Sequence, residues 1–464
     1  MAGKTEKATK TGEAGTAGKA AKAGMTTEQL IAEEKTLIAK IEKKHGKSVD
    51  ELRAEREKRV KDAMELREPD RVPVTLNPGV FSVRAAGLPS STWFYDLPGA
   101  RQAARKVLLD FEPDMGGIGI AANSGTVLDL LEVKNYRWPG GPLADDAEYQ
   151  FVEGEYMKPE EYDVFLNDPS DFILRYYFPR MTGILAPLTK MPPIGALRES
   201  GFSGFLGFMA TPEFQHLAAR AKQAMEEFAR VTEESAQFAR HMERLGFPSQ
   251  FGGGGAGGGV GGAPLDAIAD LLRGMRGIML DMYRCPDKLI AATERVLNTR
   301  IANATPANPN WKGLPQRGGG PLHRGSDEFM SLKQFEKFYW PGLKRSTQAS
   351  IDLGYIASHF FEGVWDQRLE YLLEFPKGKV LFFCERTDIF RAKEVLGGHC
   401  CIQGGVPPAL LTAGSPQDVD EYCKKLIKVV GKGGGFILGC GSSIDCAKPE
   451  NVKAMVEAAK KYRP

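Results

Sequence analysis

The residues best suited to chemistry gather at the ends of three short apolar runs in the C-terminal part of this sequence. Gly354-Tyr-Ile-Ala-Ser358 leads into His359-Phe-Phe-Glu362-Gly363. Gly378-Lys-Val-Leu-Phe-Phe-Cys384 leads into Glu385-Arg386-Thr387-Asp388, and Gly435-Phe-Ile-Leu-Gly439 leads into Cys440-Gly441. Imidazole, carboxylate and thiolate are zinc ligands, and a catalytic zinc takes three protein ligands with one position left open. His359, a carboxylate such as Glu362 and the thiol of Cys440 thus stand at compatible strand ends for a metal. The competing reading makes His359 a hydrogen-bonded polar residue and Cys440 a small buried one. Glu385 and Asp388 are placed for general acid–base work, or for ion pairs with Arg386 or Arg391. His323-Arg324 follows Gly318-Gly-Gly-Pro-Leu322 in a loop, where it either contacts an anionic substrate or is simply solvated. Cys400 and Cys401 are adjacent, so on a strand they point to opposite faces and at most one could serve. His45, His216 and His241 fall on predicted helices away from strand ends and receive no role.

The elements that must position these groups alternate. The three apolar runs are too short for helices and open with glycine, so they read as buried strands. Cys400-Cys-Ile-Gln403 is a fourth. Between them lie helical stretches. The best marked opens at Ser415-Pro416, with a capping serine, proline at the first helical position and Asp418 at the positive end; Gly431 ends it. Pro449 opens a last helix. Strand–helix alternation requires a parallel sheet, because each return crossover is a helix. No G-x-G-x-x-G follows a strand, which removes the best sign of a dinucleotide fold. The pattern predicts a (β/α)8 TIM-type barrel, whose catalytic groups sit at the C-terminal strand ends.

Upstream, Thr27 to Gly46 and Val49 to Leu66 are amphipathic helices expected to pack on the barrel, and Val72-Pro-Val-Thr-Leu76 is its first strand. A long helix, broken or continuous, spans Phe214 to Leu245, and another spans Leu265 to Tyr283. Between them, the tract from Gly252 to Gly262 lacks the GK[ST] ending of a phosphate loop. It reads as a flexible connector, or as a lid over the barrel mouth. The expected division is a disordered low-complexity tail over residues 1–24, N-terminal helices over 25–66 and the barrel over 67–464.

Composition narrows the class of function. A formal net charge of +2 over 464 residues suggests neither a nucleic-acid nor a membrane-surface protein. No apolar run approaches the ~20 residues of a membrane helix, and the lysine-bearing start lacks the apolar core of a secretion signal. The seven cysteines are odd in number and all lie beyond residue 284, which favours a reducing, cytoplasmic setting over a disulfide framework.

Several stretches resemble the uroporphyrinogen decarboxylase-like superfamily. Glu68-Pro-Asp-Arg-Val-Pro-Val74, after an amphipathic helix, is similar to its entry. His359-x-x-Glu362-Gly363, Lys393-Glu-Val-Leu-Gly397, Gly404-Gly-Val-Pro-Pro408, Gly433-Gly-Gly-Phe-Ile-Leu-Gly-Cys440 and Lys448-Pro-Glu-Asn-Val452 agree in order and spacing. The similarity runs over residues 50–464, loosely in the middle and tightly after Gly354. It implies a (β/α)8 barrel and one of two chemistries.

The first is zinc-dependent methyl transfer between a corrinoid and a thiol or methyl ether. That branch binds zinc through a His-x-Cys pair and a cysteine after the last strand. His359 and Cys440 match the outer positions. The middle cysteine is absent, and Glu362 or Glu385 would complete the set. The implied partners are a corrinoid-carrying protein and a small methyl donor or acceptor, with Glu385 moving a proton. The second is decarboxylation of uroporphyrinogen or a related carboxylated tetrapyrrole. The heme-pathway enzymes hold substrate carboxylates with an arginine segment, which Ser82-Val-Arg84-Ala-Ala-Gly87 echoes without its second arginine and its tyrosine. Arg84 and His323 would then bind carboxylates, with an acid such as Asp388 stabilising a protonated pyrrole.

Overall fold

In the computed structural model, the described residues are 27–116, 124–196, 199, 201–248 and 258–464. The expected tail over 1–24 lies outside them. The first helix runs Thr27–His45 and stops at Gly46, whose φ of 64° suits glycine. Ser48 then caps the helix Val49–Met64 in a reciprocal box with Glu51.

The core is a parallel sheet with helical crossovers. Strands β1 (Thr75–Leu76) and β2 (Met115–Gly116) pair with each other. A two-residue antiparallel pair, β3 (Tyr136–Arg137) with β4 (Gln150–Phe151), lies apart from the sheet. The rest of the wall is β5 (Arg317–Gly318), β6 (Pro321–Leu322), β7 (Ile356–Phe361), β8 (Val380–Cys384), β9 (Cys401–Val406) and β10 (Phe436–Cys440). Its spatial order is β10-β9-β8-β7-β5, with β6 also on β7 and every pairing parallel. Val74 bridges Leu438, which joins β1 to β10, and Gly258 bridges Gly318 on the far side. This is the wall of an α/β barrel.

Side-chain alternation sorts each strand into an inner and an outer set. Ile356, Leu381, Cys401 and Ile437 form one buried cluster with Met115 and with Val60, Ala63 and Met64. The helix Val49–Met64 therefore packs against the inner residues of the barrel, not only on its outside. Ala357, Phe361, Phe382, Ile402, Phe436 and Leu438 belong instead to the large core shared with the outer helices. A carboxylate keeps this end in register. Asp114, fully buried, accepts from Arg59, from Arg71 and from the amide of Val74.

Several expectations change in detail. The helix Pro212–Arg244 is continuous, capped by Thr211 with proline at its first turn. The stretch after residue 264 is not one helix. Pro264–Ile268 opens into a wider π turn over Ala269–Arg273, and Gly274, at φ 69°, starts the helix Gly274–Arg284. The glycine tract is neither lid nor loose connector where it is described. Gly258 joins the wall, the Val260 amide donates to Ser350 Oγ at 2.9 Å, and Gly262 O accepts from Arg300 at 3.1 Å. Its residues 252–257 lie outside the described set. No described helix is long and apolar enough to cross a membrane, and all seven cysteines are unpaired.

Glycine is required where β5 turns towards β6. A Cβ on Gly319 would sit 2.1 Å from Ser358 O and 3.1 Å from His359 Nδ1. Gly319→Ala is expected to destabilise the fold by about 1–3 kcal/mol, the usual cost of overpacking. Chemical denaturation would show it as a lowered midpoint at unchanged slope.

Candidate active site

The C-terminal strand ends bring a different set of groups together from the one that residue spacing suggests. β6 ends at Leu322, and the next two residues are anchored by one buried carboxylate. Asp266, 5% exposed, accepts from the amides of His323 at 3.0 Å and Arg324 at 2.9 Å. Tyr339 donates its hydroxyl to the same carboxylate at 2.7 Å. Burial and the nearby charge of Asp270 push the Asp266 carboxyl up to about 6, against the opposing pull of the Tyr339 hydrogen bond. Asp266 precedes the π turn that carries Asp270, and Tyr339 ends a second π turn over Phe335–Tyr339. Such turns recur at functional sites because they re-aim side chains out of regular helical register.

Asp270 holds the histidine itself. Its carboxylate lies 2.6 Å from His323 Nδ1 and accepts from Arg324 Nε at 3.1 Å. The other ring nitrogen, Nε2, lies 3.4 Å from Glu362 Oε2 at the end of β7. Burial works against a charged imidazole here. The Asp270 contact and the charges of Asp270, Asp266 and Glu362 outweigh it and raise His323 above its ordinary value. A histidine between two carboxylates can take or give a proton near neutral pH.

The remaining strand ends complete the rim. Glu385 accepts from the Gly363 amide at 2.6 Å. Arg386, the next residue, is forked onto Glu328. Beyond β10, Arg84 donates to Ser90 Oγ at 2.9 Å, to Cys446 Sγ at 2.9 Å and to Asp146 O at 2.6 Å. Glu148 also contacts Cys446. At Tyr149, burial and then the charges of Asp445, Tyr136 and Glu362 raise the hydroxyl.

The metal set expected from the sequence does not assemble. β7 continues to Phe361, so His359 is mid-strand and on the outer face with Ala357 and Phe361. It is 1% exposed, its Nε2 lies 3.0 Å from Thr347 Oγ1 on the helix Trp340–Asp352, and burial pushes it down to about 4. Cys440 alternates with Phe436 and Leu438 into the same outer core, where burial pushes its thiol up to about 11. Only Glu362 of the three reaches the mouth. Among the described residues no group of three or more His, Cys, Asp or Glu is arranged to hold a metal ion. The residues present thus do not fit the expected zinc site.

Asp388 is likewise committed elsewhere, capping the helix Ile389–Leu396 through the amides of Phe390 and Arg391. His323 keeps a place in the site, yet it faces acids and not a free anion-binding space. Asp266, Asp270 and Tyr339 were missed. The available signal was the i, i+4 pair of acids directly after the glycine tract.

With this geometry in view, residues 250–462 match the family model for uroporphyrinogen decarboxylase (URO-D). The match stops short of half of the chain, so it is a likeness of this C-terminal segment. The groups around His323 all fall within the matched segment except those on the Arg84 and Tyr149 side of the rim. No curated protein matches the chain. Among solved structures, a methyltransferase from Methanosarcina mazei is similar over 88% of this chain and 98% of its own, with a TM-score of 0.51 and 15% identity. At that identity the likeness is one of fold, and it extends the barrel relationship beyond the URO-D segment.

Two predictions separate structural from chemical residues. A buried neutral histidine binds fewer protons folded than unfolded, so His359 adds stability above its unfolded pKa near 6.5 that is lost as pH falls towards 4. The unfolding free energy should rise across that window by at most about 3 kcal/mol from this group, and His359→Gln should flatten the rise. Asp388→Ala should cost about 1 kcal/mol through the lost cap while turnover stays close to wild type, as thermal melts beside kinetic assays would show.

Proposed function

We propose that this protein is a methyltransferase, moving a methyl group between a corrinoid carried on a partner protein and a small methyl ether or thiol. The observation that supports this over decarboxylation is the state of the arginines described at the mouth. Arg324 is tied to Asp270 and Glu153, Arg386 to Glu328, and Arg84 to Ser90, Asp146 and Cys446. A tetrapyrrole with many carboxylates needs uncommitted cations to hold it. This mouth instead presents Glu362, Glu385, Asp270 and Asp445, which disfavour a polyanion and leave a neutral donor or acceptor unopposed.

The chemistry required is proton management. A methyl ether that loses its methyl group leaves an oxyanion to be protonated, and a thiol that accepts one must lose its proton. His323, with a carboxylate on each ring nitrogen, can serve in either direction. The methyl-carrying corrinoid is a co-substrate in this reading, brought to the open C-terminal face of the barrel.

The test is direct. Purified protein would be incubated with reduced cobalamin and aryl methyl ethers, or with methylcobalamin and small thiols, following the cobalt absorbance change. Uroporphyrinogen would be run in parallel for loss of carboxylate. Methyl transfer well above the protein-free rate, with uroporphyrinogen untouched, is expected. Decarboxylation without methyl transfer would overturn the reading. Cys440→Ser should leave the transfer rate little changed, since its thiol lies under the outer helices.

A further inference from the structure

The two carboxylates beside His323 are not equivalent, and their difference gives the ring a direction. Asp270 is 15% exposed and already accepts from Arg324, so its role is to hold Nδ1 and the ring plane. Glu362 is 49% exposed and stands on the strand end that opens to the mouth. Nε2 therefore faces an acid that substrate can reach, while Nδ1 faces one that is spoken for. Behind both, Asp266 fixes the backbone of His323 and Arg324 and is itself clamped by Tyr339.

We propose that His323 and Glu362 are the proton-transfer pair of this site, with Asp270 and Asp266 as positioning residues. The proposal rests on the methyl-transfer reading and gives it its acid. In the ether direction, the carbon–oxygen bond breaks and its electron pair stays on oxygen. The methyl carbon bonds to the reduced cobalt of the co-substrate, which supplies the electron pair of the new bond. The leaving oxygen takes the proton held between Glu362 and His323 Nε2, and the pair regains a proton from water after product leaves. In the thiol direction the same pair accepts the thiol proton.

The charged and titratable groups facing this pair come from every neighbouring element. Asp266 and Asp270 lie before and within the first π turn, and Tyr339 ends the second. Arg324 follows His323 in the chain, and Glu153 reaches Arg324 from the segment after β4. The Tyr149 hydroxyl feels the charges of both Asp445 and Glu362. The acids favour the protonated ring, and the Arg324 guanidinium is neutralised by Asp270 and Glu153. The pair is thus set to hold its proton until a leaving group develops charge.

Leaving-group dependence tests this on the full-length protein. Methyl donors would span aryl ethers of rising phenol pKa and one S-methyl sulfonium, whose thioether leaves neutral and needs no proton. His323→Gln and Glu362→Gln are expected to lose about 100-fold or more in kcat on the poorest leaving groups. The loss should shrink steadily towards the sulfonium. Asp270→Asn should lower kcat and move its pH profile to lower pH. Equal losses on every donor, the sulfonium included, would mark a structural role and overturn the proposal.

A second arm needs no turnover. In NMR of histidine-labelled protein, His323 should titrate above its ordinary value and shift downward in Glu362→Gln. An unmoved titration would overturn the pairing. If wild type transfers methyl from no donor, the methyl-transfer reading fails, and the NMR arm alone then decides whether the pair exists.

Discussion

A carboxylate sealed from water must find its full set of donors inside the protein, and the mouth of this barrel is arranged around one that does. Asp266 takes two backbone amides and a tyrosine hydroxyl. Those donors come from the chain just beyond β6 and from a π turn well downstream, so a single side chain ties two crossovers to a strand end. An unmet buried carboxylate would be expensive, and this requirement makes the geometry of His323 and Arg324 rigid. The acid is also close enough to Asp270 for the two charges to oppose each other. The charge of the nearby histidine and the hydrogen bond from the Arg324 amide offset that repulsion, which couples the anchor electrically to the group it positions.

The second controlling constraint is alternation. In a barrel, residues one apart on a strand belong to different compartments: one faces the interior, the other lies under the helices. His359 and Cys440 fall on the outer set and are absorbed into the core, whereas Glu362, just past the strand, escapes it. The aromatic contacts of Phe361 with Trp365 and Phe382 lock that register. A slip of one residue would carry His359 to the inside and Glu362 away from His323. The chemistry at the rim is thus inherited from packing in the wall.

The URO-D match and the geometry point the same way on fold. The family match and the similar solved structure place the chain among α/β barrels. Within that frame this mouth is acidic and histidine-centred. Its arginines are consumed by neighbours, and its cysteines are mostly buried with raised thiols, such as Cys384 at about 12.

What the residues determined by themselves was local and periodic. Capping boxes at Ser48 and Ser415, stops at Gly46 and Gly431, and short apolar runs at β8, β9 and β10 are written in neighbouring positions, so helices, strands and their alternation could be read directly. That was enough for the barrel, for naming Glu362 and Glu385 as strand-end groups and for singling out His323 in a loop. The tertiary structure alone decided which of them meet. Whether the strand ends at Ser358 or Phe361 turns on pairing with β6 and β8, and that choice sends His359 under a helix. Asp266 and Asp270 gain their meaning from partners more than fifty residues away. The glycine tract becomes part of the wall because Gly258 meets Gly318 closely enough that a Cβ on Gly318 would lie 2.5 Å from Gly258 O. Periodicity is a property of a segment, whereas convergence depends on the register of strands that come together only when the barrel forms.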